Sequence, residues 1–355
     1  MALTQQEARA FHNEICVLDL HADTAKLMDK LGYDIGIRHE RPLPAVANLV
    51  GHIDVPRLRD GGVAGQFFGF WTAPVPQRGC LRSVVAQLDA LDKAIATYPG
   101  ELAWVRTGAD VVAAKASGQI AVLGGVEGGQ ALENQIESIE ALSQRGVRYL
   151  GLLHFSRNAI GCPAKGRGAD PSEGLTGFGR DVIRECERTG IIVDLAHINR
   201  RGFMEALELS TLPAMVSHTG VAGVHPHWRN IDDDQIRAVA QRGGCVGIIF
   251  ARRYLGSASL ESVVDHIQHV IDVAGEDVPA LGSDFDGFVV PPIGLEDVAA
   301  LPSLTVALSR RGMSLRVIEK VLGGNVLRIL DAVPRWGDPL SPAETAKTSD
   351  AVGAT

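Results

Sequence analysis

FGRDVIRECERTGIIVDLAH, residues 178–197, holds one whole helix-to-strand unit and decides the reading of the fold. The first part is amphipathic and closes on Gly190, as a helix C-terminal glycine does. The second part, 191–196, is an apolar run rich in Ile and Val. Such runs, continuous rather than alternating, suit parallel strands buried on both faces. The run ends on His197.

The same kind of run recurs outward from this unit, at 15–21, 65–70, 120–126, 147–153, 214–217, 245–250 and 279–283. Amphipathic stretches lie between them, among them DDDQIRAVAQRGG (232–244), with acids in its first turn, and LESVVDHIQHVIDVAG (260–275). Eight strands alternating with helices give the arithmetic of a (β/α)₈ barrel, an α/β fold of the TIM type. A doubly wound open sheet is the alternative, but its glycine-rich first turn is missing, because the first strand runs into His21-Ala22-Asp23. Residues 24–62 have few periodic signals and read as loops and short helices capping the barrel. The expected organisation is one catalytic barrel over 1–335, with this insertion, followed by a polar tail at 336–355.

Composition bounds the function. The chain has 355 residues, 46% hydrophobic and 21% charged, enough for a sizeable core. Its net charge of −8 argues against nucleic acid or an anionic membrane as partner. Five cysteines without a Cys-x-x-Cys pair are neither a disulfide framework nor a zinc knuckle. The opening MALTQQEARAFHNE is polar, and no apolar run approaches 18 residues. The expectation is a cytoplasmic enzyme.

The reactive residues sit where the apolar runs end. The first strand leads into His21 and Asp23, the third into Glu127, and the fourth into His154. The fifth and sixth lead into His197 and His218, and the eighth into Asp284 and Asp286. In a barrel those ends share the face that carries chemistry. His21 and Asp23, two apart on a strand, point the same way and can grip one cation. With Glu127, His197 and His218 they make three imidazoles and two carboxylates, a natural set for two zinc-like ions. The glycines of LGGVEGGQAL (123–132) do not form a phosphate cradle, since a central carboxylate would repel phosphate and no Walker lysine is present. They let the backbone approach closely while Glu127, able to bridge two ions, points inward. His266 and His269 read as a solvated helix face, and His12, His39 and His52 as isolated. No Gly-x-Ser-x-Gly elbow marks a serine hydrolase.

The ordered series DLHAD (19–23), GGVEGGQAL (124–132), YLGLLH (149–154), GLTGFGRDVIRECERTGIIVDLAH (174–197), SHTG (217–220), HWRNIDDDQIRAVAQRGG (227–244) and GSDFDG (282–287) resembles the renal (membrane) dipeptidase family, zinc metallopeptidases on a (β/α)₈ barrel. The resemblance runs from about residue 15 to 330. It implies one ion on His21 and Asp23, a second on His197 and His218, and Glu127 between them. It further implies that His154 faces the scissile carbonyl, Arg229 holds the free carboxylate of a dipeptide, and Asp284 handles protons. Tyr254 is a weaker candidate for the substrate pocket. A homodimer carries over as an expectation. Ala22 and Gly177 depart from the family's usual Asn and Pro without removing a ligand. The expected reaction is hydrolysis of dipeptides by hydroxide from a water shared between two zinc ions. A cyclic amide, lactone or phosphoester hydrolase, and a metal-free binding barrel, are the alternatives.

Overall fold

Nine short parallel strands organise the chain in a computed structural model that describes residues 2–39, 49–74 and 77–334. They are β1 (Val17–Ala22), β2 (Val63–Trp71), β3 (Leu102–Trp104), β4 (Ile120–Glu127), β5 (Val147–Gly151), β6 (Ile192–Asp194), β7 (Met215–Thr219), β8 (Cys245–Ile248) and β9 (Pro279–Leu281). Pairing runs β2-β1-β9-β8-β7-β6-β5-β4, and β4 pairs back onto β2 from Gly65↔Ala121 to Trp71↔Glu127. This closes an eight-stranded parallel barrel, the (β/α)₈ fold expected from the apolar runs.

The strand absent from the sequence reading, β3, lies outside the barrel circuit. It pairs with Ile120–Val122 of β4, while β5 pairs with the same strand further on, at Gly124–Glu127. Three residues, two of them only half-buried, leave no apolar run to recognise.

Nearly every barrel-strand residue is buried. Alternate residues divide between two packed clusters. Val17, Ile120, Val122 and Val193 join the surrounding helices. Ala121, Leu123, Tyr149, Ile192 and Met215 form the second, with Val326, Ile329 and Leu330 of the helix Asn325–Ala332. Burial of both strand faces is the physical reason the runs are continuous.

The helix Gly177–Thr189 is capped by the Thr176 side chain and ends on Gly190 in the left-handed conformation. The helix Asp233–Gln241 begins with a capping box from Asp232 and Gln235. Within 24–62 stand the short helices Thr24–Leu31 and Val55–Asp60. The expected tail at 336–355 lies outside the described residues. No helix among the described residues is long and apolar enough to cross a membrane.

The histidines away from the strand ends differ from their sequence reading. His266 is fully buried and accepts the Val221 N–H at Nδ1 (2.9 Å), while His269 meets Asp233 at 2.7 Å. His266 is therefore not on a solvated face, whereas His269 stays partly exposed in a surface pair. His12 is buried between the Gly61 carbonyl and the Thr305 hydroxyl. Each is a satisfied structural histidine, as buried polar groups are expected to be.

Candidate metal centre

Strand ends bring the expected residues to one place. The Nε2 atoms of four histidines converge on a single oxygen, Oε1 of Glu127: His197 at 3.0 Å, His218 at 3.3 Å, His154 at 3.7 Å and His21 at 3.9 Å. His21 Nε2 also faces Asp23 Oδ1 at 3.3 Å and Asp284 Oδ1 at 3.8 Å. All seven side chains are buried. Three overlapping triads have donor atoms within 4.8 Å of one another: His21-Glu127-His218, Glu127-His154-His197 and His21-Asp23-Asp284. Glu127 is shared by two of them.

Backbone conformation aims these groups. His197 and Asp284 have φ of 65° and 60°, a region that non-glycine residues rarely occupy and that clusters at functional sites. Each lies just past a strand end, where the left-handed turn redirects the side chain across the barrel mouth. Glycine is required at Gly69, because a Cβ there would sit 2.6 Å from the His21 ring and 2.9 Å from Asp23 Oδ1. At Gly125 a Cβ would enter the Tyr149 ring, and the Tyr149 hydroxyl hydrogen-bonds His21 Nδ1 at 2.6 Å.

The electrostatics call for cations. Burial raises the Asp23 carboxyl, and Glu127 raises it further; burial and then Asp23 push Asp284 well above the usual carboxylate range. Burial also opposes a charged His21, but Glu127, Asp23 and Asp284 outweigh it and push the ring up to about 10. Burial would raise Glu127 too, yet His154 and His21 hold it well below its ordinary value. By contrast, burial drives His197 and His218 well below theirs, so both rings are neutral with free lone pairs. Their Nε2 atoms lie 3.0 Å apart. Nε2 of His21 and Oδ1 of Asp23, buried and 3.3 Å apart, have no other hydrogen-bond partner among the described residues. Neutral imidazoles and crowded carboxylates with orphaned donor atoms are the chemistry of a divalent metal site, and the residues present fit it.

Arg229 lies beside this cluster, buried, with Nη2 donating to the His218 carbonyl at 2.7 Å and 3.2 Å from His197 Nε2. The acids that follow it in sequence are engaged elsewhere. Asp232 and Asp234 pair with Arg200 at 2.6 and 3.0 Å, and Asp233 with His269. Among the described residues Arg229 has no carboxylate at ion-pair distance. Tyr254, half-buried, packs with His227 and Trp228 near this end of the site. The His227 Nδ1 accepts the Arg229 backbone N–H at 3.1 Å. Asp286 points away from the cluster, accepting from the Thr24 hydroxyl at 2.5 Å and the His52 N–H at 2.7 Å.

Sequence reasoning missed the groups behind the cluster: Tyr149 behind His21, and Asp194 and Ser217 behind His218. Tyr149 read only as an apolar strand residue. Tyr149→Phe should keep the fold and weaken metal binding by about 10–100-fold, the usual worth of an outer partner to a ligating histidine. Competition of the apoprotein with a chromogenic chelator measures this, and an unchanged affinity would make the 2.6 Å contact incidental.

A closed parallel barrel with histidines and carboxylates gathered at its strand ends defines a metal-dependent hydrolase of the (β/α)₈ class. The profile of the membrane dipeptidase family, peptidase family M19, matches residues 5–342, and the chain belongs to that family. It is a hydrolase acting as a dipeptidase. Solved relatives agree over nearly the whole chain. The dipeptidase AC, a metallo peptidase of family M19, is 29% identical with a TM-score of 0.81, covering 91% of this chain and 99% of that one. A metallo peptidase from Rhodobacter sphaeroides, liganded with a phosphinate mimic of the dipeptide L-Ala-D-Ala, is 28% identical with a TM-score of 0.80, covering 90% and 99%. An amidohydrolase from Pseudomonas aeruginosa is 26% identical with a TM-score of 0.77, covering 95% and 100%.

Proposed function

We propose that the cluster holds two zinc ions and cleaves dipeptides carrying a free C-terminal carboxylate. His21 and Asp23 would hold one ion, His197 and His218 the other, and Glu127 would serve both. The observation that carries this reading is the convergence of four imidazole Nε2 atoms on one Glu127 oxygen within 3.9 Å. When bound, the ions supply Lewis-acid activation of water and of the scissile carbonyl.

The chain's own residues supply the rest. Arg229 offers a planar fork to the substrate carboxylate through two charge-assisted hydrogen bonds. Among the described residues no carboxylate lies at ion-pair distance from the fork, which supports the assignment. His154, held below its usual pKa by burial, stands as a neutral imidazole beside Glu127 that can hydrogen-bond the carbonyl oxygen. Asp284, whose carboxylate burial and Asp23 make more basic than usual, takes a proton from the attacking water and returns it to the leaving amine.

The test compares kcat/KM for a dipeptide with that for its C-terminal amide, in wild type and in Arg229→Ala. An amide leaves the buried guanidinium without its partner and should cost roughly 2–5 kcal/mol, more than an order of magnitude in kcat/KM. The variant should lose the preference, and Arg229→Lys should be impaired because an ammonium lacks the fork. Equal discrimination by wild type and Arg229→Ala would remove Arg229 as the anchor. Because the R. sphaeroides relative binds a mimic of L-Ala-D-Ala, the substrate panel includes L,D pairs.

A further inference from the structure

Two seams of the barrel are joined in the same way. Between β6 and β7 the described residues show a single register pair, Asp194↔Met215, and between β1 and β9 a single pair, Asp19↔Leu281. At each seam the aspartate of that pair is buried, and a serine stands two residues past its partner, Ser217 or Ser283. Asp194 Oδ1 accepts the Ser217 N–H at 2.7 Å and Oδ2 its hydroxyl at 2.7 Å. Asp19 does the same for Ser283, at 2.8 and 2.5 Å. Each carboxylate thus holds the serine two residues past the register pair; at the β1–β9 seam backbone bonds resume beyond it, from the Asp284 N–H to the His21 carbonyl at 3.0 Å and from the Asp23 N–H to the Phe285 carbonyl at 2.8 Å. In both cases the residue after the serine belongs to the cluster, His218 at one seam and Asp284 at the other.

At the β6–β7 seam the hydrogen bonds also fix a tautomer. Oδ1 of Asp194 is occupied by two N–H groups, from Ser217 and from Ala196 at 3.1 Å. An ionised Asp194 therefore takes the single Ser217 hydroxyl proton on Oδ2. The hydroxyl can offer only a lone pair to His218 Nδ1, 2.9 Å away, so that nitrogen carries the ring proton. Nε2 is left bare, facing His197 Nε2 at 3.0 Å and Glu127 Oε1 at 3.3 Å. The Ala196 bond also pins the residue just before His197, at the start of its left-handed turn.

We propose that Asp194 and Ser217 are positioning residues that hold His218 as its Nδ1–H tautomer, with the Nε2 lone pair turned into the metal site. The Asp19–Ser283 pair is the matching clamp behind Asp284. The proposal rests on the reading of His218 as a metal ligand, and its test separates the two. Apoprotein carrying ¹⁵N-histidine reads the tautomer of His218 without metal or turnover, the resonance being assigned by its loss in His218→Gln. Wild type should show a protonated Nδ1, and Ser217→Ala a shift toward the other tautomer. Zinc titration of the same proteins should show one of two binding steps weakened about 10–100-fold in Ser217→Ala. Ser217→Thr, which keeps the hydroxyl and suits a strand, should restore it.

A protonated Nε2 in wild type would mean that Asp194 carries a proton and donates outward, and would overturn the proposal. So would identical spectra and zinc affinities in wild type and Ser217→Ala. Wild-type protein that binds no zinc but shows the Nδ1–H tautomer lost in Ser217→Ala would instead sink the metal reading and leave the clamp standing.

Discussion

On the proposed two-ion reading, Glu127→Gln is expected to empty both metal positions together and abolish most activity. Four imidazole nitrogens face one oxygen of this carboxylate, and it belongs to two of the three donor triads. An amide keeps the shape but removes the negative charge that would offset the proposed ions. Loss of Lewis-acid stabilisation worth several kcal/mol corresponds to about 10³-fold or more in kcat/KM. Elemental analysis should fall from two ions per chain to fewer than one. Retention of one tightly bound ion with the other lost would assign Glu127 to a single site and end the shared-ligand reading.

Asp284→Asn should separate proton transfer from metal binding. The variant should keep near-normal metal content while kcat falls about 10²-fold or more, the range of a positioned acid–base group. Near-normal kcat would reduce Asp284 to a structural role. The same substitution should act oppositely on the metal-free protein. Burial and Asp23 raise the Asp284 carboxyl, so folded apoprotein binds a proton that the unfolded chain releases. The stability of apoprotein should therefore fall as pH rises above the ordinary carboxylate range, and Asp284→Asn should flatten that fall. Asn also tolerates the left-handed φ of 60° at this position. Melting temperature against pH, with chelator present, reads this directly.

The sequence carried the barrel because its signal is local. A strand buried on both faces is mostly apolar at successive positions, and the barrel strands, β3 aside, lie within a few residues of their expected bounds. Polar residues at the ends of such runs cannot be ordinary core, which is why His21, Glu127, His197 and His218 stood out before their distances were known. β3 stayed hidden because three residues, two of them half-covered, have no period. His266 was misread because a helix face looks solvated until its neighbour, here the segment around Val221, is packed against it.

What the chain determined alone was the order of its strands, the face on which chemistry gathers, and the kinds of donor atom found there. Tertiary structure decided which donors meet and how each is held. Tyr149 reaches His21 across 128 positions of sequence, and Ser283 reaches Asp19 across 264. Periodicity reports whether a side chain is buried, but not which side chain of another strand it faces. That partner is fixed by the register of neighbouring strands and by barrel closure, quantities that belong to the whole sheet and to no single segment.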